Sequence, residues 1–324
     1  MGGGSYSRSV YSSSSSWSGS SSSGSSSTAS RRMSSSSLHS SMKPKGKIIT
    51  SNSKNPIIIA LDVTGSNIEL ARIVYDKMPM LHGQIEQQGY LDDFDICFMA
   101  VGDAYTDDYP LQVTDFAKGI ALDSWLEKVV LEGNGGGNGG ESYNLAAEYL
   151  NQNFKFAPDA TPRVFFIADE PIHKTIEHEH FRDYIGSGER SSDAQMSKKA
   201  VFERLNRKVD DSVFCLNPSN RGYESSIDDW KKAIPSQNVI KIKDAKEIVD
   251  LILGTIALTS QSRDIAAYQV DMKNRGQTAQ RIASVAGALQ NLNDSLALTV
   301  VDDKLRGMSQ LNGAKKTQNK SSLL

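Results

Sequence analysis

The chain has 324 residues, with 36 Lys and Arg against 38 Asp and Glu and a formal net charge of −2, so nucleic acid is not the expected partner. Two cysteines, Cys97 and Cys215, both inside apolar runs, exclude a disulfide framework and favour a reducing, cytoplasmic compartment. No stretch reaches the ~18–20 consecutive apolar residues of a membrane span, and the start lacks the apolar core of a secretory signal. The first 55 residues hold 25 serines, seven basic side chains and no acid, which leaves 29 bases against 38 acids, net −9, for the remainder. A stretch so poor in large apolar side chains does not offset its ordering entropy, so residues 1–53 read as a disordered, solvated Ser/Gly tail. Residues 56–63 (PIIIALDV) read as a buried strand, 68–88 as a helix and 94–101 (FDICFMAV) as a second strand. Residues 123–131 read as a short helix capped by Asp123. The loop GNGGGNGGES spans 133–142 and leads into a helix, YNLAAEYLNQNF. A strand at 163–168 ends before Asp169. A polar helix follows at 193–208, a strand at 211–216, a short helix at 225–233 around Trp230, a strand at 238–242 and a helix at 245–258. Residues 262–311 read as helical and 312–324 as frayed.

Continuous apolar strands indicate burial on both faces, and their alternation with helices indicates a mostly parallel, doubly wound central sheet flanked by helices. The expected organisation is a tail (1–53), an α/β domain (54–260) and a helical extension (261–324). The apolar positions of the extension (Ile265, Tyr268, Val270, Ile282, Val285, Leu289, Leu292 and Leu296) fit no clean heptad. They leave a partner-binding arm and a helix pair folded on the domain equally open.

The first strand ends in Asp62, followed at two-residue steps by Thr64 and Ser66. One carboxylate and two hydroxyls at a strand end are hard oxygen ligands of the kind Mg2+ takes, at the place where open α/β sheets put their sites. Alone, Asp62 and Ser66 are equally well read as helix caps. A second acid, Asp169, at the end of another strand favours the metal reading.

These motifs resemble the von Willebrand factor A (VWA) family over residues 54–260. Its metal-ion-dependent adhesion site (MIDAS) opens with D-x-S-x-S, here Asp62-Val63-Thr64-Gly65-Ser66. Its Asp after a buried strand is matched by Asp169 within RVFFIADEPIH, with Pro171 and His173 following a D-x-P-x-H variant. A subgroup signature, GGGD-x-PE, is matched by the glycine loop with Asn138 at the acidic position and Gly140 at the proline position. Residues 101–113 and the Trp230 helix are also similar. The resemblance implies that Asp62, Thr64, Ser66, Asn138 and Asp169 hold Mg2+, or Mn2+, with Ser142 as the alternative to Asn138. It further implies that an Asp or Glu of a protein partner takes the open position on the ion. Intracellular members of the family act as adaptors in larger assemblies, some with AAA+ ATPases.

The expected function is therefore metal-dependent protein binding, with no catalytic residue. Two alternatives stand beside it. One is a Mg2+-dependent hydrolase or phosphotransfer enzyme on the same rim, with Asp103 or Glu170 as its base. The other is a scaffold whose metal site is degenerate. Thr64 stands where a phosphotransfer aspartate motif wants a second acid, and the glycine loop lacks the Lys-Ser/Thr ending of a phosphate loop. His173, His178 and His180, interleaved with Glu177 and Glu179, read as a solvated surface patch rather than a zinc site.

Overall fold

A computed structural model describes residues 37–65, 67–132, 139–186, 196–218 and 224–318. Strand β1 (Ile49–Ser51) precedes the apolar strand β2 (Asn55–Asp62) and helix α1 (Ile68–Gln88). Strand β3 (Phe94–Val101) is followed by the short β4 (Leu111–Val113) and α2 (Ala121–Leu126). Helix α3 (Tyr143–Asn153) runs into β5 (Phe154–Phe156), and β6 (Arg163–Ile167) follows. Then come α4 (Lys198–Lys208), β7 (Val213–Pro218), α5 (Glu224–Ala233), β8 (Val239–Ile242) and α6 (Ile248–Thr259). Helices α7 (Ile265–Asn274) and α8 (Ala279–Gln318) follow.

Six strands form one sheet in the order β4-β3-β2-β6-β7-β8, parallel throughout except at the β3–β4 edge. β1 and β5 pair in a separate two-stranded sheet. Successive side chains of a strand point to opposite faces. In β2, Ile57, Ile59 and Leu61 therefore enter one core with α1 and α6, while Ile58 and Ala60 enter the other with α3, α4 and α5. Burial on both faces is why this strand is apolar at every step from Pro56 to Leu61. From β2 the chain moves to β3 on one side and later returns to β6 on the other, so the winding reverses between β2 and β6.

The C-terminal extension folds against the body. Tyr268, Met272, Val285, Leu289 and Leu292 are buried in the same core as α1 and α6, while Val270 is exposed. Buried Asp250 on α6 holds the pair by ion pairs to Arg275 (2.8 Å) and Arg281 (2.9 Å). Gly254 admits the close crossing, because a Cβ there would lie 2.4 Å from Leu289 Cδ1.

Some boundaries differ from the sequence reading. The helix expected at 123–131 is Ala121–Leu126, with Asp123 inside its first turn. The β-branched residues that follow leave the helix, and Val130 is held instead by Gln112, whose side chain accepts from its N–H and donates to its C=O, both at 2.8 Å. The polar helix begins at Lys198, where Ser197 Oγ accepts from Ala200 N. The short strands β1, β4 and β5 were not expected. Residues from Leu38 onward, which composition groups with the serine-rich tail, pack on the body. Met42 and Ile49 are buried, and Tyr149 donates to the carbonyls of Pro44 and Lys47. No described helix is long and apolar enough to cross a membrane.

Candidate metal centre

β2 delivers Asp62 as its last residue, and β6 runs past Ile167 to Asp169 on the neighbouring strand. Both acids thus stand at the C-terminal ends of the strands, at the point where the winding reverses. Asp62 is 0% and Asp169 2% exposed. Asp62 Oδ1 accepts from Thr64 N (2.8 Å) and Thr64 Oγ1 (2.6 Å), so the motif's first two members form one unit. Asp62 Oδ2 accepts from the hydroxyl of Tyr143, at the start of α3. Burial, then the nearby charge of Asp169, pushes the Asp62 carboxyl up to about 8, against the bonds from Thr64 and Tyr143. Asp169 Oδ1 is buried without a hydrogen-bond partner among the described residues.

The glycine loop re-enters the described structure at Gly139, and its exit is pinned to the segment after β6. Glu141 N donates to Pro171 O (2.9 Å) and His173 N to Glu141 O (3.1 Å). Gly140 lies so close that a Cβ would meet His173 Nδ1 at 3.0 Å and Pro171 O at 3.2 Å. The same segment is tied to α5, since Ile172 N donates to Asp229 Oδ2 (3.0 Å) and Trp230 Nε1 to Glu170 O (3.3 Å). Glu141 is 1% exposed and its Oε2 is unpartnered among the described residues. Burial and then the charges of Asp62, Asp103, Asp107 and Asp169 push its carboxyl up to about 10.

Beside this lies a second polar group. Buried Asp103 Oδ1 accepts from Ser142 Oγ (3.2 Å) and sits 2.9 Å from His173 Nε2. Ser142 Oγ also accepts from Ala104 N (2.9 Å). Ser142 is thus engaged by residues of the 103–104 turn. His173 corrects the expectation of a solvated histidine patch. It is largely buried against Asp103 and meets Tyr105 edge-on; His180, half-buried, meets the same ring edge-on, and of the three only His178 is exposed. The physical reason is the backbone pairing of His173 with Glu141, which turns the D-x-P-x-H segment inward.

The structure brings Asp62, Thr64 and Asp169 together at the switch point. Ser66 and Asn138, the other expected ligands, lie outside the described residues. Among the described residues no three His, Cys, Asp or Glu side chains are grouped as a metal would need. The expected set relies instead on two acids supplemented by hydroxyl and amide oxygens. The donors present, all oxygen, and the orphaned Asp169 Oδ1 fit a hard divalent cation. Sequence reasoning assigned no role to Tyr143 or Glu141. Tyr143 carried no signal, because a tyrosine at a helix start follows no ligand spacing. Glu141 carried one, since it occupies the acidic position that ends the glycine signature.

No family model matches the chain, and no curated protein matches it. Among solved structures the chain is similar to proximal thread matrix protein 1 of the mussel byssus, at 11% identity over 64% of this chain and 49% of that one, TM-score 0.42. The form of that protein with a zinc-occupied MIDAS motif gives 10% identity over 65% and 49%, TM-score 0.42. The open pilus adhesin SpaC from Lactobacillus rhamnosus GG gives 11% identity over 68% and 33%, TM-score 0.44. The chain spans about half the length of the first protein and a third of the second. Likenesses this distant carry no argument about what the chain binds.

Proposed function

We propose that the chain is a VWA-type protein-interaction module whose switch-point site takes Mg2+ or Mn2+, held by Asp62, Thr64, Ser66, Asn138 and Asp169. On this reading an Asp or Glu of a protein partner completes the site, and the chain is a binding module rather than an enzyme. It would serve as a cytoplasmic adaptor in a larger assembly, an AAA+ ATPase complex being one such setting. One observation carries the reading: two acids from adjacent strands lie buried together at the switch point, and Asp169 Oδ1 has no partner among the described residues.

A buried polar atom left without a partner costs ~1–3 kcal/mol, and more when charged. A cation satisfies that oxygen and offsets the repulsion between Asp62 and Asp169. When bound, the ion supplies an electrophilic centre for a partner carboxylate. The chain's own residues do the positioning. Asp62 accepts the Thr64 hydroxyl proton and so turns that oxygen's lone pairs away from itself. The pairing of Glu141 with Pro171 and His173 ties the exit of the glycine loop to the segment that carries Asp169.

Calorimetric titration of Mg2+ and of Mn2+ into the full chain, beside an Asp62→Ala/Asp169→Ala variant, tests the reading. Saturable binding by the wild type that is absent in a folded variant is the expected result. The same binding in both would sink it.

A further inference from the structure

Asp62 is the hub of the candidate site, and its surroundings are unequal. The two bonds at Oδ1 come from Thr64, two residues away, so they fix the Asp62–Thr64 unit internally but not against the rest of the site. The bond at Oδ2 comes from Tyr143, 81 residues away on α3. Tyr143 is 1% exposed. Its ring packs against Phe166 on β6 (centroids 6.4 Å) and against Trp230 on α5 (5.3 Å). Trp230 in turn donates to Glu170 O, the carbonyl next to Asp169 (3.3 Å). One aromatic bracket therefore touches the Asp62 carboxylate at one end and the backbone beside Asp169 at the other.

We propose that Tyr143 is a positioning residue of the cation site, holding the Asp62 carboxylate in register with Asp169. The inference rests on the metal-binding reading above. The chemistry of the donor suits the task. A phenol is neutral, so it orients a carboxylate without cancelling the charge that a cation needs, as a lysine or arginine would. Its ring is rigid and walled in, so Asp62 is held at little further entropy cost. Groups that orient metal-site ligands in this way change metal affinity by about 10–100-fold when removed.

The test is Mg2+ calorimetry and thermal unfolding on the full chain carrying Tyr143→Phe, which deletes only the hydroxyl and keeps the ring. Tyr149→Phe is the comparison. Tyr149 lies on the same helix, and its hydroxyl donates to Pro44 O (3.0 Å) and Lys47 O (2.9 Å), away from Asp62. The expected result is Mg2+ binding weakened about 10-fold or more in Tyr143→Phe and unchanged in Tyr149→Phe. A purely structural role would move stability in both and affinity in neither. Mg2+ bound by Tyr143→Phe as tightly as by wild type, or weakened equally in Tyr149→Phe, overturns this inference alone. A wild-type chain that binds no Mg2+ overturns the metal reading, and this inference with it.

Discussion

Gly254→Ala tests whether the C-terminal helices are part of the domain, and the sign of its effect decides the matter. A Cβ at Gly254 lies 2.4 Å from Leu289 Cδ1 on α8 and 2.7 Å from Tyr268 Cε1 on α7. Carbon atoms in contact settle at ~3.5–4.0 Å, so the new methyl intrudes by about 1 Å on both neighbours. Leu289 can withdraw its methyl. Tyr268 cannot swing away, because its hydroxyl donates to Asp250 O (2.5 Å) and accepts from Arg275 Nη2 (3.2 Å). Two effects oppose one another. Alanine is favoured over glycine inside a helix by about 1 kcal/mol, and overpacking a filled core costs about 1–3 kcal/mol. With two neighbours displaced the balance is a loss of roughly 1–2 kcal/mol, or about 2–8 °C in Tm for a domain of this size. Were α7 and α8 undocked, only the helix-propensity gain would remain, and Tm would rise by about 2–4 °C. Thermal unfolding of the full chain, followed by far-UV circular dichroism, distinguishes the two. A raised Tm refutes the packing described here. Gly254→Ala combined with Leu289→Ala should cost less than the sum of the single changes, because both act on one overlap.

Asp250→Ala strands Arg275, whose side chain is 11% exposed, and should cost about 3–5 kcal/mol; an unmoved urea midpoint would show that the ion pairs carry no weight. The raised carboxyl of Glu141 sets a pH dependence with a definite sign. Its folded form holds the proton to higher pH than its unfolded form, so stability is greatest below the unfolded value and is lost as pH rises toward the folded one. Glu141→Gln should therefore raise the Tm of metal-free protein at pH 8 and leave it nearly unchanged near pH 4; the reverse order would contradict the burial of this acid. Mg2+ at about 100 times its Kd should add about 2.7 kcal/mol to the stability of the wild type. Chelation should reverse the gain, and Asp169→Ala should not show it; a gain retained in that variant would place the ion elsewhere.

Much of the fold was legible because the strands obey a simple rule. β2, β3 and β6 are covered on both faces, so apart from Asp95 and the polar residues at the strand ends their sequences are apolar, and the helix at 68–88 was read at its observed ends. The short strands escaped for the opposite reason. β1, β4 and β5 have three residues each, too few to show a pattern, and β1 and β5 owe their pairing to partners about a hundred residues apart. Gln112 shows the same limit at 129–131, where a side chain 18 residues earlier holds Val130 outside the helix. The extension's apolar residues fit no heptad because they meet α6 and the domain core rather than a repeating partner helix.

At the candidate site, the sequence by itself determined which acids and hydroxyls stand at the strand ends. Asp62 and Thr64 follow one buried strand and Asp169 another, and such strand ends meet when the sheet is doubly wound. Only the tertiary structure decided what surrounds them. It brought the Tyr143 hydroxyl to Asp62, buried Glu141 without a partner for one of its oxygens, and turned His173 from the surface onto Asp103. These are contacts between segments far apart in the chain. They are set by where α3 and the loop after β6 lie against the sheet, and no spacing within either segment encodes that placement.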